Sequence, residues 1–589
     1  MITNNINSGK IGQVIEVNTE RVIVEVSNEL DNYNIIHSGT LYRIGQVGSF
    51  VKIINGLSCV YCVVESFSTY MQTGDIAINK KVINVSLLGY KNSKGDFESG
   101  AKITPSISDS VFLIDEDDIN IIFKSDVKFP VEVGKNYFSN SLPVYLNLNE
   151  FVLKHSLVVG STGSGKSNTV AYLLDNITKR YKSSRVVIID IHGEYMKYLG
   201  ENANEFSIYD PKKKLVIPYW MLDFETLCKL FGLSNNGIMS TPVDSFREKI
   251  LLMKKNFIAK SPTYKDKIKL NDINVNSPIP FDIREIWLDF YNRGNATFRV
   301  SGSKDSKDYE YEVNDEGEQL LGNAKTFEKP QFKPYELSNR PPYKSSETFF
   351  RGIADNIENN LRNEDFQFVF GDDEYIKGDK NIAELIKSWI ENDKQISVLN
   401  LSGIPYNILD VVIGVLSNLL FDTVYYTLKI DDKKYEGRPL LICYEEAHRY
   451  LNSGTQNSFS QKAVERIMKE GRKFGLGAMI ISQRPVEIPN TIISQISTFI
   501  SLRLTNSEDQ SRIISFAPNN FSIFLKSLPS LGNGDAFVIG ESMKIPMKVK
   551  IPLLETVKNI NFDAKIGAWN QDKPGELSYN DTIIRWMQK

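Results

Sequence analysis

The chain contains 589 residues, of which 41% are apolar and 24% are charged, and its formal net charge at pH 7 is −3. This length is too great for one hydrophobic core and predicts roughly two to four domains of a soluble globular protein. The small net charge excludes a basic field over the whole molecule, so nucleic acid could be bound only by a local patch or by a ring of subunits.

Residues 1–125 are predicted to form a small N-terminal β-barrel or sandwich. Short apolar, β-branched segments recur here, and Gly, Asn, Asp and Ser separate them. Cys59 and Cys62 are spaced like zinc ligands, but a zinc site needs four ligands and the sequence offers no second pair. Both cysteines are therefore expected to be structural.

The chain is expected to be cytoplasmic and not bound to a membrane. Its four cysteines exclude a disulfide scaffold and favour a reducing compartment. The N-terminal residues lack the order of basic, apolar and small residues that marks a signal peptide. The longest apolar stretch, residues 408–428, is interrupted by Asp410, Asn418 and Asp422, which favours a buried helix over a membrane span.

A phosphate-binding loop stands within residues 126–200, between an apolar strand-like run and a helix-like stretch. Eight residues match the pattern G-x-x-x-x-G-K-[ST] at every position, namely Gly160, Ser161, Thr162, Gly163, Ser164, Gly165, Lys166 and Ser167. Glycines let backbone N–H groups turn toward phosphate oxygens, and the following helix directs its positive end to the same anion. Lys166 is expected near the β- and γ-phosphates and Ser167 on Mg²⁺, and the nucleotide-binding segment extends to Asn168. The sequence therefore predicts ATP and Mg²⁺ as ligands.

A second polar segment follows the apolar run that ends at Asp190. In a parallel sheet the carboxyl ends of the strands share one edge, where ligands bind. Asp190 and Glu194 could therefore face the γ-phosphate or a neighbouring subunit. The alternative for Asp190 is to cap the helix that follows.

Predicted strands and helices alternate in residues 126–200 and again in residues 391–552, which is typical of a parallel sheet. Residues 201–390 interrupt this pattern and are predicted to be a mostly helical insertion with a β-like or loose polar patch. Residues 553–589 form a C-terminal extension. The predicted fold class is therefore α/β, with a RecA-like P-loop ATPase core, a parallel-rich sheet and the N-terminal barrel.

Two carboxylates follow the apolar run of residues 440–444. Neighbouring acids at a strand tip can serve different tasks, because strand residues alternate and the chain then turns. We assign Glu445 to the water shell of Mg²⁺ and Glu446 to orienting or deprotonating the attacking water. The alternative is a pair of exposed surface glutamates.

Three further polar residues complete the predicted catalytic set. Gln483 follows another apolar run, where its amide could sense the γ-phosphate or the attacking water. Arg472 is the first candidate for a cation donated by an adjacent subunit to the transition state, and Arg503 is the second. The alternative for Arg472 is a cationic helix end favoured by the helix dipole.

Five segments in this order resemble the HerA family of bipolar DNA translocases, which are relatives of FtsK. They are the phosphate-binding loop, Asp190-Ile-His-Gly-Glu-Tyr195, Glu445-Glu-Ala-His448, Glu470-Gly-Arg-Lys-Phe-Gly475 and Ser482-Gln-Arg-Pro485. The resemblance covers residues 9–64, where the family has a β-barrel, and residues 129–552. Ile191 stands where relatives often have Pro, and Glu445 where many have Asp.

The resemblance implies a homo-hexameric ring with ATP sites between subunits and double-stranded DNA in a central channel. It also implies an effector docked on the N-terminal barrel, such as the nuclease NurA, another nuclease or a sirtuin-like NADase. The favoured function is ATP-driven translocation of double-stranded DNA, in DNA end processing or anti-phage defence. The alternatives are an ATP-gated ring scaffold that activates an effector with little translocation, and a secretion or conjugation ATPase.

Contacts to DNA are expected from the loop of residues 451–460 and from Lys462 just after it. The loop is polar, uncharged and contains glycine, so its backbone could reach phosphates in a pore. The alternative is an ordinary solvent-exposed loop.

Overall fold

The computed structural model describes residues 9–18, 21–27, 34–37, 40–43, 48–56, 58–72, 78–100, 102–123, 127–137, 143–210, 212–233, 240–300, 307–335, 341–371, 374, 376, 382–430, 438–452, 458–516, 525–557 and 583–584. The chain divides into two compact units. The first combines Met1–Glu205, Ile390–Leu399 and Ser417–Asn561, and the second combines Phe206–Trp389, Asn400–Leu416 and Phe562–Lys589.

Nine described strands form the N-terminal region, and most of them lie in a closed antiparallel barrel. They are β1 (Lys10–Val17), β2 (Val22–Val26), β3 (Asn34–His37), β4 (Thr40–Arg43), β5 (Phe50–Asn55), β6 (Ser58–Gln72), β7 (Ile78–Lys91), β8 (Phe97–Ser99) and β9 (Ser110–Leu113). Six of them form the barrel in the order β2-β1-β9-β5-β6-β7, and pairing of β7 with β2 closes the ring. Strand β8 pairs with β7, and β3 pairs with β4 in a separate two-stranded sheet. Val22, Val24 and Val26 alternate into the barrel core, as expected for a strand with one buried face. Cys62 lies in this core and Cys59 is partly buried, and both are free thiols.

The central sheet has eleven strands among the described residues. Strands beyond the barrel are β10 (Pro130–Asn136), β11 (Pro143–Asn147), β12 (Ser156–Val159), β13 (Val186–Asp190), β14 (Ala203–Ser207), β15 (Thr297–Val300), β16 (Lys307–Tyr309), β17 (Tyr343–Lys344), β18 (Ile396–Asn400), β19 (Leu440–Tyr444), β20 (Leu476–Ser482), β21 (Thr498–Ser501), β22 (Asp535–Gly540) and β23 (Met547–Lys550). The sheet order is β11-β10-β23-β22-β21-β12-β20-β19-β13-β18-β14. Strands β21, β12, β20, β19 and β13 pair in parallel, whereas β22, β23, β10 and β11 extend the sheet antiparallel. The predicted parallel-rich α/β core is thus confirmed.

Fourteen α-helices are described. They are α1 (Glu116–Phe123), α2 (Leu148–Leu153), α3 (Lys166–Arg180), α4 (Tyr195–Leu199), α5 (Phe224–Leu230), α6 (Ser240–Lys260), α7 (Ile283–Asn295), α8 (Phe349–Arg362), α9 (Gln367–Phe370), α10 (Ile382–Ile390), α11 (Tyr406–Ile430), α12 (Phe459–Glu470), α13 (Asn490–Ile493) and α14 (Ser507–Ile514). All residues of β12, β13 and β19 are buried, as expected for parallel strands covered on both faces.

The second unit is mostly helical, as predicted for the insertion, and it includes a small sheet of order β16-β15-β17. Its core contains an aromatic cluster in which Phe246 packs against Phe224, Phe231 and Phe290, with ring centroids 5.8 to 6.2 Å apart. Such pairs stabilise beyond the area they bury. The apolar spacing in α5, α6 and α7 is therefore that of core-facing helices.

Helix α11 contains the one described segment, Ile408–Ile430, that is long and apolar enough to span a bilayer. Its most apolar window is 61% buried inside the protein. Burial to this extent is typical of a core helix in a soluble fold, and the interruptions at Asp410 and Asp422 agree with it.

A buried histidine ties the amino end of β12 to the neighbouring elements. His155 is 2% exposed, its Nδ1 accepts from the Ala478 N–H at 3.1 Å, and its Nε2 lies 3.0 Å from the Met468 carbonyl oxygen. The ring must therefore be neutral, with its proton on Nε2. Burial lowers the pKa of His155 from 6.5 to about 4.

Replacing His155 by glutamine should flatten the loss of stability on acidification. The unfolded chain binds a proton at His155 below pH 6.5, whereas the folded chain resists protonation down to about pH 4. His155 therefore makes its full contribution to the free energy of unfolding above pH 6.5. That contribution falls by about 3 kcal/mol as the pH drops from 6.5 to 4. Melting temperatures of both proteins between pH 7.5 and 4.5 test this. Equal pH dependence of the two would contradict the prediction.

Candidate nucleotide-binding site

The phosphate-binding loop connects β12 to α3 in the first unit. Gly163 has φ +74° with open space around its Cα, and Gly165 has φ +102° at the start of α3. Both angles lie in the left-handed region that glycine adopts without strain. A Cβ on Gly160 would lie 2.4 Å from the Ser164 Oγ, so only glycine fits there. Backbone conformation or close packing therefore explains why each of these three positions is glycine.

Lys166 is buried at the base of this loop. Its Nζ donates to the Gly160 carbonyl oxygen at 2.9 Å and lies 3.9 Å from the Glu446 Oε1. Burial lowers the pKa of Lys166, while the nearby carboxylates of Glu446, Glu445 and Glu194 act in the opposite direction. The lysine thus stands among acidic groups in a site with little water.

Parallel pairing brings the polar strand ends to one edge of the sheet. Val159 of β12 is aligned with Ser482 of β20, and both strands run in the same direction as β19. Gln483 bridges two groups there: its Oε1 accepts from the Thr162 Oγ1 at 2.6 Å, and its Nε2 donates to the Glu446 Oε1. The structure therefore joins the loop, Gln483 and Glu446 in one continuous hydrogen-bonded chain.

Glu446 has an unusual backbone and an unsatisfied oxygen. Its φ of 44° and ψ of 47° place a non-glycine residue in the left-handed region, where strain accompanies function in many active sites. The residue is 3% exposed, and Oε2 makes no hydrogen bond within the described chain. The His448 Nδ1 lies 3.3 Å from this oxygen, outside hydrogen-bonding geometry, and 3.2 Å from the Ser482 Oγ. Glu446 Oε2 is therefore available to a ligand.

Glu445 lies beside Glu446 but points to a different partner. Its Oε2 accepts from the Tyr195 hydroxyl at 2.6 Å, and the carboxyl group is 4% exposed. Burial raises the pKa of Glu445 to about 8, and the charges of Glu446 and Asp190 act in the same direction, whereas the Tyr195 hydrogen bond opposes them. A nearby cation would favour its ionised form.

The carboxylate of Asp190 organises the turn that leads into helix α4. One carboxylate oxygen accepts from the N–H groups of His192 and Gly193, and the other accepts from the Tyr195 N–H, at 2.9 to 3.1 Å. Burial raises the pKa of Asp190 in spite of these bonds. Only the bond to Tyr195 reaches the first residue of α4, and Asp190 is not the N-cap of that helix. Glu194 is exposed, and its charge acts on Lys166.

The last two residues of the predicted nucleotide-binding segment differ in their surroundings. Ser167 lies near the Tyr198 side chain and is half-buried at the start of α3. The Asn168 side chain turns away from the loop. Its Nδ2 donates to the Pro552 carbonyl oxygen at 3.0 Å, and its Oδ1 accepts from the Leu554 N–H at 3.0 Å. The side chain of Asn168 therefore fastens the C-terminal segment.

Replacing Asn168 by alanine should destabilise the protein while leaving nucleotide affinity nearly unchanged. The change removes two hydrogen bonds to partly buried backbone groups, which costs about 1–3 kcal/mol. Melting temperature and the affinity for a fluorescent ATP analogue are measured together, with the exposed Asn202→Ala as control. A large loss of affinity with an unchanged melting temperature would show instead that Asn168 acts on the nucleotide.

The two candidate arginines lie at opposite edges of the sheet. Arg472 is exposed in the turn between α12 and β20, at the amino end of that strand. Seven residues of β20 then separate it from Gln483, a distance of roughly 20 Å. Arg503 lies beside its own loop, because its carbonyl oxygen accepts from the Ser161 N–H at 2.8 Å. Arg472 therefore cannot reach the site of its own subunit.

Two residues of the site were not predicted from sequence, although both lie in segments that resemble the HerA family. Tyr195 holds Glu445, and His448 approaches Glu446 and Ser482. A signal existed for both, since each follows a catalytic-type acid within a short polar run. Half of the predicted DNA loop, residues 453–457, lies outside the described residues.

Two family profiles match the chain from one end of the core to the other. The profile described as "Helicase HerA, central domain" matches residues 131–420, and "Helicase HerA-like C-terminal" matches residues 420–582. The chain belongs to the HerA family. With its complete phosphate-binding loop, this HerA-family protein is a P-loop ATPase.

Individual relatives are similar over most of their length. A probable helicase of Methanocaldococcus jannaschii is 28% identical over 478 residues, which are 80% of this chain and 79% of that protein. The DNA double-strand break repair helicase HerA of Pyrococcus furiosus is 26% identical over 467 residues, 75% of this chain and 72% of that protein. Among solved structures, VirB4 of Thermoanaerobacter pseudethanolicus aligns with a TM-score of 0.42 and 13% identity, over 72% of this chain and 96% of that chain.

Proposed function

We propose that this HerA-family ATPase is a translocase of double-stranded DNA that works as a homo-hexamer beside an effector protein. The observation that carries the proposal is the unpartnered Glu446 Oε2 near the buried Lys166, whose Nζ is 3.9 Å from the other oxygen of the same carboxylate. An acid so placed can orient or deprotonate a water next to a phosphate held by the loop. The names of the relatives, which include repair helicases, support DNA as the polymer that is moved.

The residues present fit a bound nucleotide with its metal. Ser164 Oγ, a buried polar atom of the loop, makes no hydrogen bond within the described chain, as is true of Glu446 Oε2. Gly163 and Gly165, with positive φ angles, set the conformation of the loop backbone. Among the described residues no three His, Cys, Asp or Glu side chains form a metal cluster. Mg²⁺ suits such a site, because it is usually bound through one or two protein groups with phosphates and water. Ser167 and Glu445 would hold Mg²⁺, which would neutralise phosphate charge.

The proposed assembly rests on the position of Arg472. A head-to-tail ring brings one subunit's exposed edge to the next subunit's site, and a cation donated in this way stabilises the charge that develops at phosphorus. Arg472 is exposed at the edge opposite to its own loop, so it is available to such a neighbour.

The proposal is tested by measuring ATP hydrolysis while double-stranded DNA is titrated, and by displacement of a protein roadblock from that DNA. DNA should raise the rate and the roadblock should be displaced. An ATPase rate that stays constant across the titration, with no displacement, would overturn the translocase.

A second candidate, an ATP-gated scaffold for an effector, is favoured by the closed barrel. Its strands contribute none of the described contacts of the nucleotide site. A nuclease of the NurA kind, or a sirtuin-like NADase in anti-phage defence, would dock there. Deletion of residues 1–125 should then abolish effector binding while ATP hydrolysis persists. Effector that still co-purifies with the truncated ring would contradict docking on the barrel.

A further inference from the structure

A basic turn follows β14 in the second unit. It closes where the Leu215 N–H donates to the Ser207 carbonyl oxygen at 2.9 Å, and the Ser207 N–H donates to the Lys213 carbonyl oxygen at 3.2 Å. Between these bonds three consecutive lysines, Lys212, Lys213 and Lys214, are all exposed. The whole chain has a net charge of −3, so the positive charge of this turn is opposite in sign to that of the molecule as a whole.

The carboxylate of Asp210 holds the backbone of this turn in place. Asp210 Oδ1 accepts from the Lys212 N–H at 2.8 Å and from the Lys213 N–H at 3.2 Å. These bonds to the backbone lower the pKa of Asp210. The carboxylate thus fixes the direction of the lysine-bearing backbone, and the turn as a whole remains positive.

Two tyrosines extend the same surface. Tyr209 is 66% exposed and Tyr406 is 68% exposed, which makes them the two most exposed aromatic side chains of the described chain. Tyr209 lies directly against the loop that follows β18, because a Cβ on Gly403 would be 2.3 Å from its hydroxyl oxygen. Gly403 has φ +88°, and Tyr406 begins α11 three residues later. The lysine-bearing turn and the loop that leads into α11 therefore meet at Tyr209 and Gly403, and exposed tyrosines stand on both segments.

We propose that this lysine–tyrosine surface, formed by Tyr209, Lys212, Lys213, Lys214 and Tyr406, binds an unpaired strand of DNA. Lysines neutralise backbone phosphates, and exposed aromatic rings stack on bases whatever their sequence. A single strand offers phosphates to lysines and unpaired bases to aromatic rings, whereas an acidic protein surface offers carboxylates to the lysines only. The inference rests on the proposed function, since it assigns a site to the DNA that the motor would engage.

The test uses the full-length protein and two fluorescent probes, an oligothymidine of about 15 nucleotides and a blunt duplex of the same length, a length that matches the site sizes of single-strand binders. Variants are the triple change Lys212→Ala, Lys213→Ala and Lys214→Ala, and separately Tyr209→Ala and Tyr406→Ala. Matched controls come from equally exposed positions, namely Lys265, Lys267 and Lys269 changed together, and Tyr426→Ala. Melting temperatures show whether each variant is folded.

The lysine variant should weaken binding of both probes and reduce the slope of log affinity against log salt by about 2 for the single strand. Each tyrosine variant should weaken binding of oligothymidine by roughly 5- to 100-fold, with little effect on the blunt duplex. The controls should bind like the unmodified protein.

Unchanged affinities in the lysine and tyrosine variants would overturn this surface while leaving the translocase intact. Equal weakening of both probes by the tyrosine variants would also overturn it, because stacking requires unpaired bases. If the unmodified protein bound neither probe and DNA did not stimulate its ATPase, the proposed function would fail together with this inference.

Discussion

Replacing Glu446 by glutamine should lower the rate of ATP hydrolysis by about 10²- to 10⁴-fold, the range expected for loss of a general base. Glutamine has the same shape and can still meet Gln483, but it cannot accept a proton from water. Nucleotide binding should persist, because Lys166 and the loop glycines are untouched. Steady-state hydrolysis and binding of a fluorescent ATP analogue measure the two properties separately.

The matched control for this change is Glu508→Gln, an exposed glutamate in the first turn of α14. It alters the same functional group far from the strand ends and should hydrolyse ATP like the unmodified protein. If Glu446→Gln retained more than about one tenth of the unmodified rate, the assignment of Glu446 as the catalytic base would be wrong.

Particles assembled from a mixture of Lys166→Ala and Arg472→Ala subunits should regain ATP hydrolysis that neither variant shows alone. Arg472→Ala should lower kcat by about 10³- to 10⁵-fold if this cation acts on the neighbouring site. In a random mixture of equal parts, about one quarter of the junctions combine an intact Lys166 with an intact Arg472 from the next subunit. Hydrolysis should recover toward that fraction.

A mixture of Lys166→Ala with Glu446→Gln is the control, because these two side chains lie 3.9 Å apart in one subunit and cannot complement each other across a junction. It should remain inactive. Recovery in the control, or none in the Lys166→Ala and Arg472→Ala mixture, would contradict a site completed by two subunits.

Local sequence pattern was sufficient for most strands of the core. The apolar runs 156–159 and 440–444 coincide with β12 and β19, because a strand buried on both faces consists almost entirely of apolar residues. In the barrel, β7 mixes buried Val and Ile residues with Lys and Asn, which is compatible with a strand. Its pairing with β2, which closes the barrel, joins segments about 60 residues apart and could not be read from the local sequence.

The candidate site was predictable in its residue types and less so in their partners. The spacing of the loop identified Lys166, and the strand-end rule brought Glu446 and Gln483 to the same edge. The sequence did not indicate that the Asn168 side chain would bind Pro552 and Leu554, because these contacts join segments almost 400 residues apart. The exposed position of Arg472 also required the strand directions of the folded sheet.

The left-handed backbone at Glu446 has a consequence for any search for heat-tolerant versions of this protein. A non-glycine residue in that conformation carries about 1–2 kcal/mol of strain, which glycine would relieve. Selection for thermal resistance alone should therefore favour Glu446→Gly. Proteins selected in this way would be more stable but would hydrolyse ATP far more slowly, because of one substitution.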